Sequence, residues 1–167
     1  RYSIYLPVDA SWRPNNSEIQ AKIGDAKKHP YISLDAGVRT FQTGFSDNHV
    51  LAIGDQGCVR LSSLLLKADE LQGQITRNRK QRDRLRKRRL RLLYRIKCLV
   101  DDIHWKACKF LVSNYKCILL PDFRISSMVR KSLSKMTKRL LYMYSYFKFR
   151  QRLTYKAEVK GVKLLIV

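Results

Sequence analysis

Apolar positions switch period along this chain, and each switch marks a different kind of element. Residues 1–8 (RYSIYLPV) alternate and carry aromatic and β-branched side chains, the period-two pattern of a strand. Pro14-Asn15-Asn16, Gly24 and Pro30 punctuate residues 9–30, which read as loop or linker. Three strand-like runs follow near 31–35, 38–45 and 49–54. Ser46-Asp47-Asn48 joins the last two as a turn, so they form a hairpin. Gly37 lies between the first two, where a tight connection calls for a positive φ.

From about 59 to 115 the period becomes helical. Leu85, Leu92, Ile96, Leu99, Ile103, Ala107 and Phe110 recur at steps of 3, 4 or 7, one stripe over many turns. Gly73 breaks or bends this region into two helices. A strand at 117–121 comes next. After the Ser126-Ser127 start signal a second helical stretch runs to about 160, where Gly161 stops it before a last strand at 162–167. No internal repeat appears.

The order from residue 31 is three strands, helix, strand, helix, strand. That is the opening of a ribonuclease-H-like α/β fold, a mixed sheet with βββαβαβ order and here a long basic helical insertion. In it the first and fourth strands are neighbours, so the ends of Tyr31–Asp35 and Cys117–Asp122 approach one another. Asp35 and Asp122 close those two apolar runs, in a chain with 13 acidic residues against 35 basic ones. Phosphodiester hydrolysis with Mg²⁺ or Mn²⁺ needs converging hard oxygen ligands, in two-metal sites clamping ions roughly 4 Å apart. Asp35 and Asp122 are the candidate ligands. The plainer alternative is that Asp35 caps a turn beside Gly37 and Asp122 starts a loop after Pro121. Asp47 sits in a turn, and Asp101, Asp102 and Glu158 lie in helical stretches.

Charge sharpens the picture. A net charge of +22 points to a polyanionic partner, nucleic acid before a membrane surface. With 45% hydrophobic residues the chain has enough apolar material for a core, which excludes a disordered polycation. No apolar run approaches the roughly 18 residues of a membrane span. Between Arg77 and Lys97 stand twelve basic residues and one acid, Asp83. Arg77, Arg79, Lys80, Arg82, Arg84, Arg86, Lys87, Arg88, Arg89 and Arg91 are the candidate phosphate contacts. A solvated helix face, or a localisation signal at Arg86–Arg89, is the alternative. From Arg130 to Arg152 cations interleave with Tyr142, Tyr144, Tyr146, Phe147 and Phe149; at helical spacing these aromatics read first as core and second as base-stacking platforms.

Cys58, Cys98, Cys108 and Cys117 form no C-x-x-C pair and have no histidine at zinc-finger spacing, so zinc is not expected. They read as reduced small hydrophobes, which suits an intracellular protein. His29, His49 and His104 belong to no motif and read as structural.

Three strings carry a more specific resemblance. ISLDAGVRTFQTGF (32–45) is similar to the first nuclease motif of the TnpB/Fanzor proteins, RuvC-like RNA-guided DNA endonucleases of transposable elements. ILLPDFRISSMVRK (118–131) resembles the second motif, and YFKFRQRLTYKAEVKGVKLLIV (146–167) the helix and strand after it. The Leu-Pro-acid-Phe and Val-Arg-Thr-Phe strings look more like the eukaryotic and viral Fanzor branch. The resemblance implies a RuvC-like core over 31–167 and, over 1–30, the end of a preceding guide-binding domain plus linker. It implies Asp35 and Asp122 as catalytic metal ligands for Mg²⁺ or Mn²⁺, with DNA and a guide RNA as partners and no small-molecule substrate. A nuclear location follows if the host is eukaryotic. Asp122 stands where the family usually has Glu, and the third catalytic Asp and the zinc ribbon have no counterpart here. The expected activity of the chain alone is therefore little or none. The alternative function is a non-catalytic nucleic-acid-binding remnant of a decayed element.

Overall fold

The computed structural model describes residues 29–123 and 132–167. The expected strand at 1–8, nearly all of the 9–30 linker and the helix start at Ser126-Ser127 lie outside them.

Strands β1 (His29–Ala36), β2 (Gln42–Phe45) and β3 (Val50–Ile53) precede helices α1 (Gly57–Arg77) and α2 (Arg82–Asn114). Strand β4 (Tyr115–Leu120), helices α3 (Lys135–Tyr144) and α4 (Tyr146–Lys160) and strand β5 (Lys163–Ile166) complete an α/β arrangement. The five strands form one mixed sheet in the order β3-β2-β1-β4-β5. The β1–β2 and β2–β3 pairs are antiparallel, and β4 runs parallel to both β1 and β5. First and fourth strands are thus neighbours, as the expected order of elements placed them.

Alternation decides which face is buried. Ile32 and Leu34 of β1, with Ile118 and Leu120 of β4, point into the core, whereas Tyr31, Phe45 and Leu165 on the other face are exposed. The core is aromatic at its centre. Phe41 is fully buried, with its ring 5.0–5.3 Å from the rings of His104, Tyr144, Tyr146 and Phe149. Burying so many rings around one Phe fixes how α2, α3 and α4 sit over the strands.

The helices depart from expectation in three places. Gly73 lies inside α1, and the break falls at residues 78–81, where the side chain of Asn78 accepts from the Gln81 amide at 3.3 Å. A glycine costs a helix only about 1 kcal/mol, less than the packing of Leu71 and Ile75 against Leu85 recovers. The second helical stretch is two helices, because Ser145 adopts the left-handed conformation between them (φ 47°). That kink lets both Tyr144 and Tyr146 enter the core. The start signal of α3 is Ser134, whose hydroxyl accepts from the Thr137 amide at 3.1 Å.

Glycines act where the chain demands them. Gly161 is left-handed (φ 63°) and ends α4 as expected, its neighbour Val162 donating back to the Ala157 carbonyl at 2.9 Å. Gly37 does not take the positive φ expected of it. Its smallness is used instead, since a Cβ there would come within 2.8 Å of the Thr40 carbonyl oxygen. The four cysteines are free, and Cys98 is exposed rather than packed. Burial pushes the Cys108 thiol up to about 12, so it is an inert core group.

Candidate functional site

Asp35 is the penultimate residue of β1 and Asp122 the second residue beyond β4. The register Ser33↔Leu119 between the parallel strands brings both acids to the same edge of the sheet, one residue out of step. Backbone pairing continues past the end of β4. Val167 donates to the Leu120 carbonyl at 3.0 Å and Asp122 donates to that of Val167 at 2.7 Å. Asp122 is therefore held as an extension of a buried strand, across a proline that has no amide to pair.

Helix α4 closes over this edge. Arg150 donates from Nη1 to Oδ1 of Asp122 at 2.9 Å, an ion pair half open to solvent. Tyr146 donates its hydroxyl to the Gly37 carbonyl, locking the turn after Asp35 against the helix. Burial drives the Tyr146 phenol far above its ordinary value, and the charges of Tyr144 and Asp35 push the same way. The phenol is a hydrogen-bond donor at any physiological pH, not a base. Between the sheet edge and α4 lies a cavity of about 360 Å³, lined by Ala36, Gln42, Asp122, Tyr146 and Arg150 among others.

Two carboxylates on neighbouring strands are suitable hard ligands for a divalent cation, which often completes its shell with water and substrate phosphate. Among the described residues no third acid, His or Cys joins them. Arg150 lies where its charge competes with any cation at Asp122.

The basic residues are spread over more than one side of a helical hairpin. Helices α1 and α2 make a hairpin whose far end is held by Leu71, Ile75 and Leu85. Arg79, Arg82, Arg86 and Arg89 line a groove on one side, whereas Arg88 and Arg91, with Arg95 and Lys67, line the other. Arg77, Lys80, Arg84 and Lys87 are exposed around the hairpin end. Seventy residues of separation hid one further contact. Arg139 grips Asp69 with both terminal guanidinium nitrogens, Nη1 and Nη2, at 2.5 and 2.9 Å, tying α3 to α1 and holding the Asp69 carboxyl below the usual range.

The aromatics of 142–149 split. Tyr144, Tyr146 and Phe149 are core, whereas Tyr142 and Phe147 are exposed. His104 is core as well. It donates Nε2–H to the Tyr144 carbonyl at 2.8 Å, and its Nδ1 accepts from Arg152 at 3.0 Å. Sequence reasoning passed over Gln42 and did not single out Arg150. Both stand in the quoted strings, but nothing local distinguishes them.

Among the described residues no helix is long and apolar enough to cross a membrane. No family model matches the chain. A curated protein of Paramecium bursaria Chlorella virus 1, named "Putative transposase A625R", is 26% identical over 136 residues. The match covers 80% of this chain and 31% of that protein, so the chain spans about a third of the length of the relative it matches. The likeness is transposase-related.

Proposed function

We propose that the chain is the RuvC-like, ribonuclease-H-like nuclease part of a transposable-element protein of the TnpB/Fanzor kind, an RNA-guided DNA endonuclease. The observation that carries this reading is the parallel β1–β4 pair with Asp35 and Asp122 at one edge. The transposase-related likeness supports it.

In this reading Asp35 and Asp122 would hold Mg²⁺ or Mn²⁺, which would supply Lewis acidity for attack of water on a DNA phosphodiester. Everything else falls to the chain's own residues. β1 and the β4 extension fix the spacing of the two acids, and Tyr146 clamps the turn behind Asp35. Arg150 screens Asp122 and would compete with a cation there. The α1–α2 hairpin holds the phosphates of DNA or guide RNA in its two grooves. Two carboxylates alone clamp a transition state poorly, so cleavage by this chain by itself is expected to be slight.

The test is calorimetric titration of Mn²⁺ into the chain and its Asp35→Ala and Asp122→Ala variants. Micromolar binding lost in both variants supports one shared site. Absent binding, or binding indifferent to both changes, removes the nuclease reading. The second reading, a nucleic-acid-binding protein without catalysis, is favoured by the Arg150–Asp122 ion pair, which already neutralises one acid.

A further inference from the structure

The turn joining β1 to β2, residues 37–41, is fixed at every residue but one. Gly37 donates its amide to the Phe41 carbonyl at 3.3 Å and accepts the Tyr146 hydroxyl. Val38 packs against the core. Thr40 donates its hydroxyl to Oδ1 of Asp55 at 2.9 Å, which ties the turn to the connection after β3. Phe41 is the ring at the centre of the core. Arg39 differs from all four. It is exposed, and among the described residues its guanidinium has no hydrogen bond or ion pair. A fixed backbone under an unbonded guanidinium keeps a charge in one place and leaves its donors for a ligand. That place is the acidic edge. The turn follows the C-terminal end of β1, with Arg39 four residues past Asp35, and Asp122 shares this edge across the parallel β1–β4 pair. The guanidinium that α4 brings to the same edge, Arg150, is already engaged with Asp122.

We propose that Arg39 is a substrate-binding residue, which holds a phosphodiester of the nucleic-acid strand at the edge where Asp35 and Asp122 stand. The inference rests on the proposed function and names the residue that brings its substrate to the acids. A phosphodiester carries one negative charge, and two carboxylates repel it unless positive charge stands beside them. A guanidinium supplies that charge together with two parallel N–H donors, the fork that matches two phosphate oxygens. The anchored turn sets where the fork is offered. Gly37 and Phe41 fix its ends, and the Thr40–Asp55 bond fixes the residue next to Arg39. A carboxylate of an acidic peptide has the same two-oxygen face, but the basic α1–α2 hairpin on the same chain favours a phosphate backbone that can reach both.

The full chain is to be titrated with a short fluorescent oligothymidylate at one fixed low salt concentration, with a chelator present so that no divalent cation takes part. Arg39→Gln is expected to weaken binding by about fivefold. Arg39→Lys keeps the charge and loses the fork, so its affinity should fall between those of wild type and Arg39→Gln. Lys163→Gln is the control. Lys163 is exposed at the start of β5, which runs parallel to β4, and so stands at the opposite edge of the sheet. Its replacement should leave the affinity unchanged. All three variants should melt with wild type, because neither side chain is bonded in the fold. An affinity unmoved by Arg39→Gln, a loss equalled by Lys163→Gln, or a melting temperature lowered in Arg39→Gln overturns the inference. So does polyglutamate that binds as tightly as the strand and loses as much in Arg39→Gln, since an acidic peptide is then the partner. The Mn²⁺ titration is a separate readout, in which Arg39→Gln should bind no more weakly than wild type. Cation binding with strand affinity unmoved by Arg39→Gln removes only this inference. Strand affinity lost in Arg39→Gln, without cation binding in wild type, removes the nuclease reading and leaves Arg39 as a phosphate contact of a protein that binds and does not cut.

Discussion

His104, in the middle of α2, donates its Nε2–H to the carbonyl of Tyr144 at the last residue of α3, 2.8 Å away. The bond satisfies a carbonyl exposed by the left-handed kink at Ser145. It also fixes the imidazole tautomer, since Nδ1 must then accept, which it does from Arg152. Arg152 in turn pairs with Asp101 at 2.6 Å and stacks over the Trp105 ring at 5.0 Å. The long basic helix α2 is joined in this way to α3 and to α4, the helix that closes over the acidic edge.

A dependence of stability on pH follows. Burial, reinforced by the Arg152 and Lys148 charges and opposed by the Tyr144 carbonyl and Asp101, pushes the His104 imidazole down to about 4. The unfolded value is about 6.5, so the unfolded chain takes up the proton first as pH falls. Stability is whole above about pH 6.5, declines between about 6.5 and about 4, and levels off below; the loss is on the order of 3 kcal/mol. His104→Gln keeps a donor and an acceptor but cannot titrate. Urea midpoints across this window should slope in wild type and flatten in the variant, and equal slopes would assign the effect to other groups.

Removing Arg150 should strengthen cation binding. Its guanidinium occupies one Asp122 oxygen at 2.9 Å, and a half-exposed pair of this kind is worth up to about 1 kcal/mol. Arg150→Gln is expected to tighten Mn²⁺ binding by about fivefold in calorimetry. Unchanged or weaker binding would mean that the cation does not approach Asp122.

Phe41 is the centre of the core, so its removal should be costly. Phe41→Ala leaves a void among four rings and is expected to lower unfolding stability by about 3–5 kcal/mol. Chemical denaturation measures it. A loss under about 1 kcal/mol would contradict the central position of this ring.

Gly37→Ala tests the turn behind Asp35. The added methyl comes within 2.8 Å of the Thr40 carbonyl oxygen, and backbone must shift to admit it. A destabilisation of about 1–3 kcal/mol is expected, accompanied by weaker Mn²⁺ binding because the Gly37 carbonyl and Asp35 move together. Destabilisation with intact cation binding would separate the turn from the acid.

The hairpin groove makes an ionic-strength prediction. Arg79, Arg82 and Arg86 are exposed and line one side of α1–α2. Replacing all three with Gln should leave the melting temperature unchanged and reduce the slope of log affinity against log salt by about 2–3 for nucleic acid. An unchanged slope would move the phosphate contacts to the Arg88, Arg91 and Arg95 side.

The sequence by itself determined the five strands from residue 29 onwards, the pairing of β2 with β3, the basic helices and the two strand-end acids. Those features rest on short-range physics: period-two and helical alternation, turn residues at 46–48, and a glycine that stops the helix at 161. It misjudged Gly37 and Gly73, because a glycine signal says only that no Cβ is present. Whether that freedom serves a positive φ, a close approach or nothing depends on the neighbours. Tertiary structure alone decided that Arg150 lies on Asp122, that Arg139 grips Asp69 across 70 residues, and that the basic residues divide between two grooves. It also decided that His104 is buried and that Gln42 is buried with its side-chain oxygen unpaired. Each of these depends on which helix covers which edge of the sheet, and that is fixed by burying the rings around Phe41, a many-body packing condition that no local window of residues contains.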